Sequence, residues 1–181
     1  MGRPVNAIAS NAGRLARATG EAFELALDRY HRQLEAEGRA YIRRVGAPVS
    51  VLGKVSRDPR GRHIFRAAWD GFQGVDFTGH TNMGVHIAIE AKTHAGPGAW
   101  DCGIDPSGEA SENGAIQERQ WTELRRVRLC GGIALIMLRA WGREWAIPPG
   151  RLAEHVRQKG RRTVRPDEID AIGTRGLEWM R

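Results

Sequence analysis

The stretch Val85-His86-Ile87-Ala88-Ile89-Glu90-Ala91-Lys92 constrains this chain more than any other segment. Apolar residues recur at alternate positions, and a β-strand is the structure that sends alternate side chains to one face. Val85, Ile87, Ile89 and Ala91 therefore share one side, and His86, Ala88, Glu90 and Lys92 share the other. The pattern predicts a half-buried strand whose second face carries an acid and a lysine two residues apart. Upstream, Gly74-Val75-Asp76-Phe77-Thr78-Gly79 predicts a neighbouring strand over 74–78 that contains an acid, joined through Asn82-Met83-Gly84.

Each of these polar residue types has a distinct use in phosphodiester cleavage. That reaction needs hard oxygen ligands for Mg²⁺ or Mn²⁺, which Asp76 and Glu90 offer, and a cation near the water or phosphate, which Lys92 offers. A plainer account makes Asp76 a turn cap and Glu90 with Lys92 the charge on an exposed strand edge. Lysine occurs only at Lys54, Lys92 and Lys159 in a chain that otherwise uses arginine. Its presence at position 92 is therefore informative, because a compact ammonium on a flexible stem suits a water-side role better than a planar guanidinium. His86 shares the Glu90 face and is a candidate neighbour of the acid.

The wider composition points to a polyanionic partner. A formal charge of +7 over 181 residues favours nucleic acid ahead of an anionic membrane. No apolar run approaches the roughly 18 residues of a membrane span, and residues 1–10 lack the apolar core of a secretory signal. Only Cys102 and Cys130 are present, far apart, which fits a reducing compartment and a cytoplasmic location.

Residues 1–17 carry Arg3, Arg14 and Arg17 among small residues without a firm period, and read as a flexible basic arm before a single domain over 18–181. Thr19 is the expected cap of a helix with an apolar stripe of Phe23, Leu27, Tyr30 and Leu34, ended by Gly38. Short strands are expected at 48–52 and 63–67 about the turn at 57–61. Residues 93–114, rich in Gly, Pro, Ser and Asp, read as a long surface loop. A helix is expected over 115–129, stopped by Cys130-Gly131-Gly132, then a buried strand over 133–138 with 145–147 beside it. Short helices at 151–158 and 166–172 flank a basic cluster at 159–165 within a basic extension, 150–181. Trp69 and Trp100, next to turn residues, read first as packing residues, with stacking on an exposed base as the alternative.

Taken in order, Gly20-Glu21-Ala22-Phe23-Glu24, Gly-Val-Asp-Phe-Thr-Gly at 74–79, Ile-Glu-Ala-Lys at 89–92, and a glutamine-bearing helix running into Gly-Gly-Ile and an apolar strand resemble the RecU-type Holliday junction resolvases. These belong to the PD-(D/E)xK restriction-endonuclease-like nucleases, and the resemblance spans roughly residues 20–147. It implies an α/β fold in which a central mixed β-sheet is flanked by helices. It also implies that Glu24 joins Asp76, Glu90 and the Ala91 carbonyl as metal ligands, that Lys92 is the catalytic lysine, and that Gln120 supports the site or the DNA. The family can carry a hydroxyl residue two positions before the central acid; here that position is Gly74.

The expected activity is Mg²⁺-dependent DNA cleavage, with Mn²⁺ able to substitute, resolving four-way junctions by paired nicks. Arg43, Arg44, Arg161, Arg162 and Arg165 are candidate phosphate contacts, and a two-fold substrate implies a C2 homodimer. Two rivals stay open: a related nuclease acting on duplex or flap DNA, and a basic DNA-binding protein without chemistry.

Overall fold

The stripe of Phe23, Leu27, Tyr30 and Leu34 is buried and holds helix α1 (Asn6–Ala36) against a β-sheet. The computed structural model describes residues 6–46, 49–51, 56–64, 67–69, 74–111 and 114–180. Helix α1 begins well before Thr19 and takes in much of the segment expected to be an arm. Ala7, Ala9, Ala12, Leu15 and Ala16 are strong helix formers, so propensity rather than an apolar period extends it. Residues 1–5, with Arg3, lie outside the described part.

Gly38 adopts a φ of 66°, the left-handed conformation that closes a helix, and the chain turns back into β1 (Ala40–Arg44). That strand was not expected from the sequence, because only Ala40 and Ile42 of its five residues are buried. Next come β2 (Val49–Val51), β3 (Ser56–Arg57), β4 (His63–Ile64) and β5 (Ala67–Trp69), with β2 pairing β5 and β3 pairing β4. After them follow β6 (Phe77–Thr81), β7 (His86–His94), β8 (Trp100–Asp101), α2 (Glu118–Leu129), β9 (Ile133–Ala140) and β10 (Arg143–Ile147). The chain ends with α3 (Pro149–Lys159), β11 (Thr163–Val164), α4 (Ile169–Ile172) and β12 (Thr174–Arg175).

The main sheet has six strands in the order β1-β6-β7-β9-β10-β12. Neighbours run antiparallel except β7 and β9, which are parallel. The protein is therefore α/β, with a mixed sheet flanked by helices. Helix α1 packs on one face, and α2, α3 and α4 pack on the other.

This layering changes the expectation for the 85–92 strand. Ile87 and Ile89 join the α1 cluster, and Ala88 joins Trp121, Leu124 and Val127 on the opposite side. As a central strand, β7 is buried on both faces rather than one. Burying each isoleucine contributes about 1.5–3 kcal/mol, and the same apolar surroundings make the neighbouring Glu90 costly to charge.

Residues 93–114, expected as a long surface loop, are that only in part among the described residues. Strand β7 continues to His94, β8 pairs with β11, and Ile104 bridges Ala110. Trp100, Cys102 and Ile104 are buried, so for Trp100 the packing reading holds and the base-stacking alternative falls. The small residues permit close approach of backbone to backbone: a Cβ on Gly103 would stand 2.5 Å from the Cα of Gly114. Residues 150–180 are likewise integrated, with Leu152, Val156, Val164, Ile169 and Ile172 in the core. No helix among the described residues is long and apolar enough to cross a membrane.

Candidate functional site

Asp76 sits one residue before β6, not within the strand as expected. Its main-chain carbonyl accepts the Val45 N–H at 2.8 Å, which anchors it beside the end of β1. Its Oδ2 accepts the Ala91 N–H at 2.8 Å, so the side chain takes the place of a sheet acceptor and ties the acid to β7 between Glu90 and Lys92. The register Phe77↔Ile89 sets Asp76 beside Glu90.

Glu90 is 1 % exposed. One oxygen, Oε1, lies 2.7 Å from Lys92 Nζ; the other, Oε2, is buried without a hydrogen-bond partner. Burial pushes the Glu90 carboxyl up to about 8; Lys92 opposes that rise and the Asp76 carboxylate adds to it. A buried acid with an unpartnered oxygen beside a second, half-buried carboxylate favours a proton on Glu90 or a cation between the two.

Lys92 is positioned from a second direction. Its Nζ donates to Gln120 Oε1 at 3.1 Å, and the same oxygen accepts the Gln117 N–H at 3.0 Å. Gln120 is the third residue of α2, and reaching back to the N-cap N–H is what a glutamine at that position does. The helix start and the lysine thus share one acceptor. The buried face of α2 is made by Trp121, Leu124 and Val127, which leaves Gln120 at the rim where it meets β7.

Glu24 comes to the same region from α1, but its carboxylate is ion-paired with Arg44. Burial raises the Glu24 pKa, the Arg44 guanidinium lowers it, and Asp76 raises it further. Glu24, Ala91 and Lys92 line one cleft of about 300 Å³ together with Gly20, Phe23, Thr93 and Ala115. Among the described residues no group of three or more His, Cys, Asp or Glu side chains is arranged to hold a metal. The oxygen set is a carboxylate pair, Asp76 and Glu90, with Glu24 drawn aside by Arg44.

The five candidate phosphate contacts fall in two places. Arg43 and Arg44 lie on β1; Arg161, Arg162 and Arg165 flank β11. Four of them already have carboxylate partners: Arg43 with Glu35, Arg44 with Glu24, Arg161 with Glu168 and Arg162 with Asp101. Arg165 makes no ion pair among the described residues. His86 is exposed and pairs across the ladder with His80, so it faces solvent at the far end of β7 rather than Glu90. The Trp69 side chain lies outside the described part. Sequence reasoning missed the Arg44–Glu24 pair, because nothing in the spacing of the two residues signals that β1 folds back along α1.

Comparison with known proteins assigns no family: no family model matches the chain, and no curated protein matches it.

Proposed function

We propose that this chain is a divalent-cation-dependent DNA endonuclease of the Holliday-junction-resolving kind, built on a restriction-endonuclease-like fold. The observation that carries the reading is the buried Glu90 carboxylate, with one oxygen on Lys92 and the other unpartnered beside Asp76. A purely structural ion pair has no need of a second, orphaned acid oxygen. The formal charge of +7 supports a polyanionic substrate.

The donor set suits Mg²⁺, with Mn²⁺ able to substitute, because carboxylate and carbonyl oxygens are hard ligands. Asp76 and Glu90 would hold the ion, with the Ala91 carbonyl; Glu24 would have to leave Arg44 to join them. When bound, such an ion stabilises charge on a phosphoryl oxygen and makes water a better nucleophile.

The chain's own groups supply the rest. Glu90 and Gln120 hold the Lys92 ammonium from two sides, so it presents its remaining donor capacity to a water or phosphate oxygen in a fixed place. Arg44 is ion-paired with Glu24 on the α1 side, and it would become available to a phosphate when Glu24 turns away. A four-way junction has two-fold character, so a C2 homodimer would supply two such sites for paired nicks.

A cleavage assay on a four-way junction, a flap and a linear duplex, with Mg²⁺, Mn²⁺ or EDTA, tests the reading. Ion-dependent cutting that favours the junction is expected. It should vanish in Asp76→Ala and Glu90→Ala while DNA binding holds in both. Binding should weaken steeply with salt. Equal cutting of all three substrates would move the assignment to a duplex nuclease, and salt-sensitive binding with no cut in any ion would make this a binding protein.

A further inference from the structure

The edge of the sheet carries an aromatic cluster that the proposed chemistry does not use. Tyr41 on β1 alternates with the buried Ala40 and Ile42, so it stands on the face opposite α1. It is 46 % exposed. Its register partner on β6 is His80, and the two rings lie 5.7 Å apart and within 24° of parallel. Arg43 places its guanidinium 4.1 Å from the centre of the Tyr41 ring, held there by two hydrogen bonds to Glu35 of 2.7 and 2.8 Å. His80 and Arg43 are both exposed.

A cross-strand aromatic pair stabilises a sheet edge only modestly, and most such rings gain by being covered. This pair is left open and next to a cation on a strongly basic chain. Flat π surfaces beside a guanidinium fit a nucleobase on a phosphate strand; an acidic peptide would have no use for the rings, and a lipid surface would favour aliphatic groups.

The cluster is also aligned with the candidate site. Directly opposed residues of an antiparallel ladder share a face. Tyr41 opposes His80 and His80 opposes His86, and His86 has the same parity on β7 as Glu90 and Lys92. Asp76 lies four residues back from His80, about 13 Å along the strand, or roughly four base steps of DNA. One DNA segment can therefore touch both.

We propose that Tyr41 and His80, flanked by Arg43, form a stacking platform for an unpaired base of DNA whose backbone lies at the Asp76–Glu90–Lys92 site. This rests on the nuclease reading above.

The test uses the full chain in EDTA, with 2-aminopurine as the unpaired base at the branch of a DNA junction and a fully paired duplex for comparison. The wild-type protein should quench the probe and favour the branched DNA by about tenfold, a typical size for one base stacked on an aromatic ring. Tyr41→Ala and His80→Ala should each lose the quenching and bring the affinity ratio towards one, and Tyr41→Trp should retain both. Quenching and a ratio like wild type in Tyr41→Ala would overturn the platform. So would wild-type binding to both DNAs without quenching, and in that case the nuclease reading would stand. Failure of the wild-type protein to bind either DNA would remove both.

Discussion

Lys92 Nζ lies 2.7 Å from Glu90 Oε1, inside a site where the acid is 1 % exposed and the lysine 18 %. An opposite charge at that distance ordinarily holds a carboxyl below its usual range. Here burial wins, and the Glu90 carboxyl is pushed up to about 8. In the ion-free protein at neutral pH, Glu90 therefore keeps its proton for most of the time. The pair is poised to ionise fully when a second cation arrives.

That shift gives the first prediction, on stability. An ordinary glutamate titrates near 4.5 and folded Glu90 near 8. Between those values the folded chain holds a proton that the unfolded chain has lost. Stability from this group is full below the unfolded value, falls as pH rises through the window, and is gone above about 8. Glu90→Gln removes the penalty, so the variant should be the more stable by a few kcal/mol at pH 9, on the order of the shift itself. Urea unfolding of both proteins at pH 5 and pH 9 in EDTA measures this. A constant difference between them across that range would mean that burial does not govern Glu90.

Ion binding should report the same proton. A cation held by Glu90 requires the carboxylate, so binding at pH 7 should release up to about one proton per ion. Calorimetry with Mn²⁺ in buffers of differing ionisation heat reads that release directly. Affinity should climb between pH 6 and pH 8 in the wild-type protein. Glu90→Gln should bind more weakly and lose the Glu90-linked release.

How much of this was legible in the sequence depended on whether the signal was local. The alternation at 85–92 located β7 and set Glu90 and Lys92 on one face, because strand parity is a property of adjacent residues. It did not disclose that α2 covers that second face, since Ala88 is too small to mark it as apolar. The burial that lifts Glu90 was therefore invisible. Asp76 was identified, but its place ahead of β6 follows from the Ala91 N–H that its side chain accepts, a contact fifteen positions away. Residues 93–114 misled because turn-forming Gly, Pro and Asp also build tightly packed irregular structure, and Trp100, Cys102 and Ile104 are buried there without a period. Strand β1 was missed for a related reason: as an edge strand it buries only Ala40 and Ile42, too short a run to register.

The junction of β1 with β6 can be tested separately. A Cβ on Gly79 would stand 2.0 Å from the Tyr41 carbonyl oxygen and 2.7 Å from the Ile42 Cα. Both obstacles are backbone, so neither can rotate away. Gly79→Ala should therefore cost about 3 kcal/mol, the upper part of the usual range for overpacking. The loss should appear first as faster amide exchange in β1. Wild-type stability and exchange would mean that the two strands have room to part.

The last prediction concerns Gln120, which serves Lys92 and helix α2 through one oxygen. Gln120→Ala removes the acceptor for Lys92 Nζ and for the Gln117 N–H together. Loss of the helix-start contact should cost about 0.5–2 kcal/mol, as cap deletions do. The ammonium would then be held only by Glu90. If Lys92 orients the water or phosphate, kcat should fall by about ten- to a hundredfold, of the size seen when a positioned group goes astray, while KM and Mn²⁺ affinity change little. Gln120→Glu keeps an acceptor for both donors and should recover the helix stability, which separates the two roles. Lys92→Arg is the companion test: charge is retained, but the planar guanidinium cannot lie between Glu90 Oε1 and Gln120 Oε1 as the ammonium does, so cleavage should be badly impaired while ion binding survives. Full activity in Lys92→Arg, or a Gln120→Ala protein that loses stability and no rate, would leave Gln120 as a helix cap alone.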